Sequence, residues 1–174
     1  MLKIWGRTNS INVQKVLWCC AELDLPFERI DAGMAFGVNN TPEYKAMNPN
    51  ALVPVINDDG FILWESHAIV RYLARKHGNG GLSPADPQDY ADADRWMDWA
   101  STFAAGLRNA FWGLIRTPAE KRDARAIEAG VASKTSAVVT MPSALPCVRW
   151  RYSERYSTRG LSKRSAVSSG NTPS

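Results

Sequence analysis

Two residue pairs in this 174-residue chain have types and spacing that could do chemistry: Val53-Pro54 and Glu65-Ser66. Pro54 sits near the head of the run Val53-Pro54-Val55-Ile56, which reads as a strand, although proline cannot donate to a sheet ladder. A cis peptide accounts for it, because cis bonds cost little only before proline. That geometry would leave the N–H and C=O of Val53 free for a ligand. An edge-strand proline with no ligand is the plainer alternative. Glu65-Ser66 lies between an apolar strand and a helical pattern. A serine hydroxyl beside the free N–H groups of a helix start makes an anion site, helped by the helix dipole. The plainer alternative is an ordinary helix cap preceded by an acid. In the loop before the first helix, Ser10 and Asn12 supply a hydroxyl and an amide. Either could stabilise a nearby anion, or simply cap that helix.

Other chemistries find less support. His67 and His77 are the only histidines, one at the start of a helical pattern and one at its end. Surface or helix-end roles suit them better than roles as ligand or base, and no metal constellation is present. Cys19 and Cys20 are adjacent, which makes neither a redox pair nor a metal knuckle, and Cys147 stands alone. The adjacent pair falls in an apolar helical pattern and reads as packed thiols. The net charge of +4 is uneven. Residues 134–174 hold seven Lys/Arg against one acid, Glu154, and the rest of the chain holds fourteen against sixteen. The basicity therefore belongs to one segment, and the chain does not read as a nucleic-acid binder. Arg149-Trp150-Arg151-Tyr152 imitates a nucleic-acid patch only locally. No run of 18 apolar residues suggests a membrane span. Met1–Gly6 is too short and too soon interrupted for a signal peptide, so the expected compartment is the cytoplasm.

The elements that must position these residues follow from periodicity. Leu2-Lys3-Ile4-Trp5 alternates as a half-buried strand does. Val13, Val16, Leu17, Cys20 and Leu23 recur at helical spacing, and Pro26 closes that helix. Phe27-Glu28-Arg29-Ile30 is a second strand, and Thr41-Pro42-Glu43 opens a short helix. Val53–Ile56 and Phe61–Trp64 are strands joined by the hairpin turn Asp58-Asp59-Gly60. Ser66 is expected to cap a helix with Ile69, Val70 and Leu73 on its apolar face, running to about Lys76. This order predicts an α/β unit, a four-stranded mixed sheet with helices on its faces. From Pro87 the pattern is all-α, helical from Tyr90 to about Leu114 and again from Pro118 to about Ala132. Trp96, Trp99, Phe103 and Trp112 read as packing residues. Residues 134–174 hold nine Ser and three Pro and no sustained period, the composition of a poorly ordered tail.

Three stretches carry a family resemblance: Ser10-Ile11-Asn12-Val13-Gln14-Lys15-Val16, Asn48-Pro49-Asn50-Ala51-Leu52-Val53-Pro54-Val55 and Leu63-Trp64-Glu65-Ser66-His67-Ala68-Ile69. In these, the chain resembles the cytosolic glutathione transferases, of the bacterial serine/asparagine type. Residues 1–80 resemble the thioredoxin-like glutathione-binding domain, and 87–133 resemble the start of the helical domain. Nothing in 134–174 resembles the helices that normally continue it. The likeness is therefore expected to end near Ser133 or Lys134, as in a truncated or frame-shifted chain.

The resemblance implies that Pro54 is cis and that Val53 pairs with the cysteinyl backbone of glutathione, as strand addition to a single peptide. It implies that Ser66 and its helix start hold the γ-glutamyl carboxylate, with Glu65 accepting from the ammonium group. Ser10, or else Asn12, would activate the thiol, because the chemistry needs the thiolate. Thr8 and Asn9 lie close enough to be confused with them. The implied activity is conjugation of glutathione to a small electrophile, or glutathione-dependent reduction, as in detoxification. Glutathione is a co-substrate, no metal is implied, and the partner is a second copy in a homodimer. The alternatives are a non-catalytic binding or regulatory protein and an inactive truncated fragment.

Overall fold

The computed structural model describes residues 1–78 and 80–139, with side chains described as far as Ala132. Four short strands form one sheet in the order β2-β1-β3-β4. They are β1 (Leu2–Trp5), β2 (Phe27–Ile30), β3 (Val55–Asp58) and β4 (Phe61–Trp64). β1 pairs parallel with β2, Leu2 opposite Phe27, and antiparallel with β3, Ile4 opposite Ile56. β3 and β4 form the antiparallel hairpin, with Asp59 and Gly60 at positive φ as a tight turn requires. A parallel pair needs a crossover, which helix α1 (Ile11–Glu22) supplies between β1 and β2.

Helices α1 and α3 (Ser66–His77) pack together over one face of the sheet. The apolar stripes of the two helices meet the inward residues of the strands there. Ile4, Val16, Cys20, Ile56, Ile69 and Leu73 are fully buried in that layer. Each such side chain contributes about 1.5–3 kcal/mol relative to exposure. Gly6 lets the layers close, because a Cβ there would overlap the Cγ2 methyl of Val13. On the opposite face, Tyr44 of α2 (Pro42–Met47) is buried against Ala32 and Val55, with Trp5, Val53 and Trp64 around it. Thr41 caps α2 by accepting from the Tyr44 N–H at 3.3 Å. This is a thioredoxin-like sheet unit.

Beyond it the chain is helical. Asp86 caps α4 (Pro87–Phe111) by accepting from the N–H groups of Gln88 and Asp89. The helix stops three residues before the expected Leu114, and a wider turn runs over Trp112–Arg116. Helix α5 (Ala124–Val139) packs on α4, Gly130 lying against the backbone of Ala110. It extends six residues into the segment expected to lack order, and the rest of that segment lies outside the described residues. Trp99 stacks on Phe103 at 4.9 Å and meets Trp96 edge-on at 5.8 Å. Trp112 does not pack as expected. It stands 46% exposed.

Ion pairs and a ring contact tie α3 to α4. Arg71 donates to Asp94 and, at 2.7 Å, to Asp98, while Arg75 lies over the ring of Tyr90. Among the described residues no helix is long and apolar enough to cross a membrane.

Candidate active site

The N-terminal end of α1, the chain entering β3, and the junction of β4 with α3 converge. Asn12, Asn48, Leu52, Val53, Pro54, Glu65 and Ser66 line a recess there of about 260 Å³, open solvent included. Five of the six residues singled out in the sequence are thus brought together. The sixth, Ser10, lies at the adjoining end of the β1–α1 loop and is not part of that lining.

The Val53-Pro54 peptide is cis. β3 accordingly begins at Val55, two residues later than its apolar run suggests. Among the described residues, neither the N–H nor the C=O of Val53 takes a backbone partner, so both are available to a ligand. The preceding turn is held rigidly. Tyr44 Oη donates to Leu52 O at 2.8 Å, and Asn48 Nδ2 donates to the same oxygen at 2.9 Å. Burial of Tyr44 pushes its phenol up to about 12, so it stays a donor across the working pH range. Asn48 is itself buried and accepts from the Asn50 N–H.

Glu65, not Ser66, occupies the cap position of α3, a correction to the expected cap. Its backbone has φ 72° and ψ 113°, a region that L-residues rarely adopt, and its side chain makes no cap bond. Ser66 is therefore the first helical residue. The first N–H groups of α3 have no partner within the helix and point toward the recess end. Ser66 is buried and Glu65 is exposed, so a serine hydroxyl, unpaired N–H groups and a carboxylate share one corner.

At the α1 end, Ser10 is 8% exposed and its hydroxyl does not cap the helix. Ser10 thus stands at the cap position of α1 without its hydroxyl making a cap bond. Asn12 lies on the first turn of α1, with Oδ1 accepting from Lys15 Nζ at 3.1 Å. Among the described residues the Asn12 amide NH₂ takes no hydrogen-bond acceptor. Lys15 Nζ also meets His67 Nε2 at 2.9 Å, and His67 Nδ1 meets Ser101 Oγ at 3.2 Å. Burial lowers Lys15 while the charge of Glu65 raises it, with burial the larger effect. Burial, then the charges of Lys15 and Arg71, lower His67, and Asp98 opposes them. His67 is thus a half-buried link between α1 and α4, not the surface histidine expected. His77 does end its helix.

The remaining chemistry-bearing groups stand apart. Cys19 and Cys20 are packed under α3, and burial pushes their thiols up to about 11 and about 12. Among the described residues no group of His, Cys, Asp and Glu could hold a metal ion. Cys147 and Arg149–Tyr152 lie outside the described residues.

The family model "Glutathione S-transferase, N-terminal domain" matches residues 1–75. Glutathione S-transferase GstB of Escherichia coli is 46% identical over 153 residues, covering 86% of this chain and 74% of that protein. That share amounts to about 150 of the 174 residues here, so the likeness runs past Ser133 and Lys134, where it was expected to end. A theta-class glutathione S-transferase structure from Xanthomonas axonopodis pv. citri, with glutathione bound, is 47% identical with a TM-score of 0.76. The match covers 79% of this chain and 66% of that one. Glutathione transferase F2 of Populus trichocarpa is 26% identical with a TM-score of 0.74, covering 80% of this chain and 67% of its own. A thioredoxin-like sheet, a cis-proline recess facing a helix start, and a relative this similar along most of its length lead to one assignment: the chain belongs to the glutathione S-transferase family.

Proposed function

We infer that this chain binds glutathione in the recess and activates its thiol for transfer to a small electrophile. The observation that carries the reading is the meeting of a free Val53 backbone with the Glu65-Ser66 corner beside the α1 start. The Val53 N–H and C=O pair with the cysteinyl residue as a one-residue added strand. Ser66 and the α3 N–H groups hold the γ-glutamyl carboxylate, and Glu65 accepts from its ammonium group. Those contacts place the sulfur toward the α1 end, where Ser10 or Asn12 donates to it. A donor to the charged form lowers the thiol pKa. The thiolate then attacks the held electrophile, and positioning supplies much of the acceleration. A homodimer working in the cytoplasm is the setting consistent with this family.

The test is retention on immobilised glutathione together with conjugation of a generic aryl halide. Retention with turnover supports the enzyme. Retention without turnover supports a binding protein, and loss of both refutes the site. Sedimentation of the purified chain checks the dimer.

A further inference from the structure

Among the described residues, two guanidiniums at the sulfur end of the site lack carboxylate partners. Arg7 follows β1, its N–H donating to Ala32 O at 3.1 Å. Its side chain reaches over Gly33, where an added Cβ would fall 2.7 Å from Nη1. The same Cβ would lie 3.4 Å from both methyls of Val53, so the Arg7 head group sits beside the recess wall. Arg7 Nε is buried and has no hydrogen-bond partner among the described residues. Arg116 arrives from the far end of the helical part, its Nη2 donating to Asn9 O at 2.7 Å, with the guanidinium over Phe111. Asn9 lies two residues after Arg7, so this bond brings Arg116 to the Arg7 loop, and burial first, then the charge of Arg116, lower Arg7. None of the ion pairs among the described residues includes either arginine.

Neighbouring like charges repel, and an orphaned buried N–H costs free energy until it is bonded. The first of these costs falls when an anion sits between the two guanidiniums, which favour planar carboxylates. The loop between them is Thr8-Asn9-Ser10, and Ser10 N donates back to Arg7 O at 3.3 Å. An anion held there lies next to the residue proposed to face the sulfur. We propose that the electrophile of this transferase carries a carboxylate, held by Arg7 and Arg116 while its reactive carbon meets the glutathione sulfur. This rests on the proposed glutathione site. For a halide leaving group, the thiol first gives its proton to solvent. The sulfur electron pair then forms the C–S bond, the carbon–halogen bond breaks, and halide departs with its pair. The carboxylate takes no part in the bond changes.

The experiment uses the full chain and two probes of equal shape, 4-chloro-3,5-dinitrobenzoate and the matching benzamide, with their glutathione conjugates. Conjugation rates are divided by the uncatalysed rates, and conjugate affinities are read by tryptophan fluorescence. The acid is expected to exceed the amide about tenfold in both measurements at low salt, the scale of one charge-assisted hydrogen bond. Arg7→Gln and Arg116→Gln should each cut that ratio about threefold or more, and added salt should shrink it. Glutamine at 116 keeps a donor for Asn9 O, which guards the fold. Equal values for acid and amide, or a ratio unchanged in both variants, would overturn the inference while leaving the glutathione site standing. If neither conjugate binds, the glutathione site falls and the inference falls with it.

Discussion

Replacing Ser10 with alanine separates thiol activation from helix capping. Ser10 occupies the cap position of α1, yet its hydroxyl makes no cap bond. The usual cost of deleting a capping serine, about 1 kcal/mol, therefore does not apply. The change in stability should stay below about 0.5 kcal/mol, as for a substitution that breaks no bond. Its effect on chemistry should be larger. A hydrogen bond to a charged group contributes about 1.5–3 kcal/mol. One pKa unit corresponds to about 1.36 kcal/mol, so losing that bond raises the pKa of bound glutathione by about one to two units. Below the original pKa, thiolate and turnover fall about tenfold to a hundredfold, and the loss shrinks as pH rises toward the new value. The assay is the ultraviolet absorbance of the thiolate in the binary complex against pH, alongside kcat and a urea melt. Unchanged pKa and kcat refute the role of Ser10. If Asn12→Ala then moves both, the role passes to the free amide held in place by Lys15. A stability loss near 1 kcal/mol with an unmoved thiol pKa would restore the capping reading.

Further outcomes follow from the same geometry. Gly6→Ala puts a Cβ into Val13 where α1 meets β1, and should cost about 1–3 kcal/mol in a urea melt. Tyr44→Phe removes one of two donors to Leu52 O, so stability should fall by about 1 kcal/mol and KM for glutathione should rise more than kcat falls. His67 has a folded pKa below its ordinary 6.5, so the unfolded chain binds its proton first as pH falls. The stability that neutral His67 confers is full above 6.5 and is lost as pH drops from there toward the folded value. His67→Gln should flatten that part of the stability–pH curve. The buried, raised thiols of Cys19 and Cys20 should resist iodoacetamide at pH 8 until urea unfolds the chain, as mass spectrometry can follow.

Local patterns carried much of the fold. The alternation of Leu2–Trp5, and punctuation by Pro26 and Asp59-Gly60, place β1, β2 and β4 at their observed residues. The start of β3 differs because Pro54 belongs to the ligand-facing turn, a use of the chain that apolar content does not reveal. The cap of α3 differs by one residue because Glu65 takes a left-handed backbone that its residue type does not announce. The recess was legible through short motifs, each of which brings its own residues to one corner. Lys15 meets His67 across 52 residues and Arg116 meets Asn9 across 107. No period or motif spans such distances, so Lys15, Asn48, Arg7 and Arg116 gained their places only in three dimensions. Lys15 and Asn48 lay within the resembling stretches without an assigned role.

The left-handed backbone of Glu65 bears on how this protein could be improved. A non-glycine residue there costs on the order of 1–3 kcal/mol. Glycine would remove that cost along with the carboxylate. Selection for heat resistance alone would therefore favour glycine at position 65, while selection for use of glutathione would keep the acid. Libraries built to harden this chain should hold that position fixed, or they will trade its chemistry for its melting point.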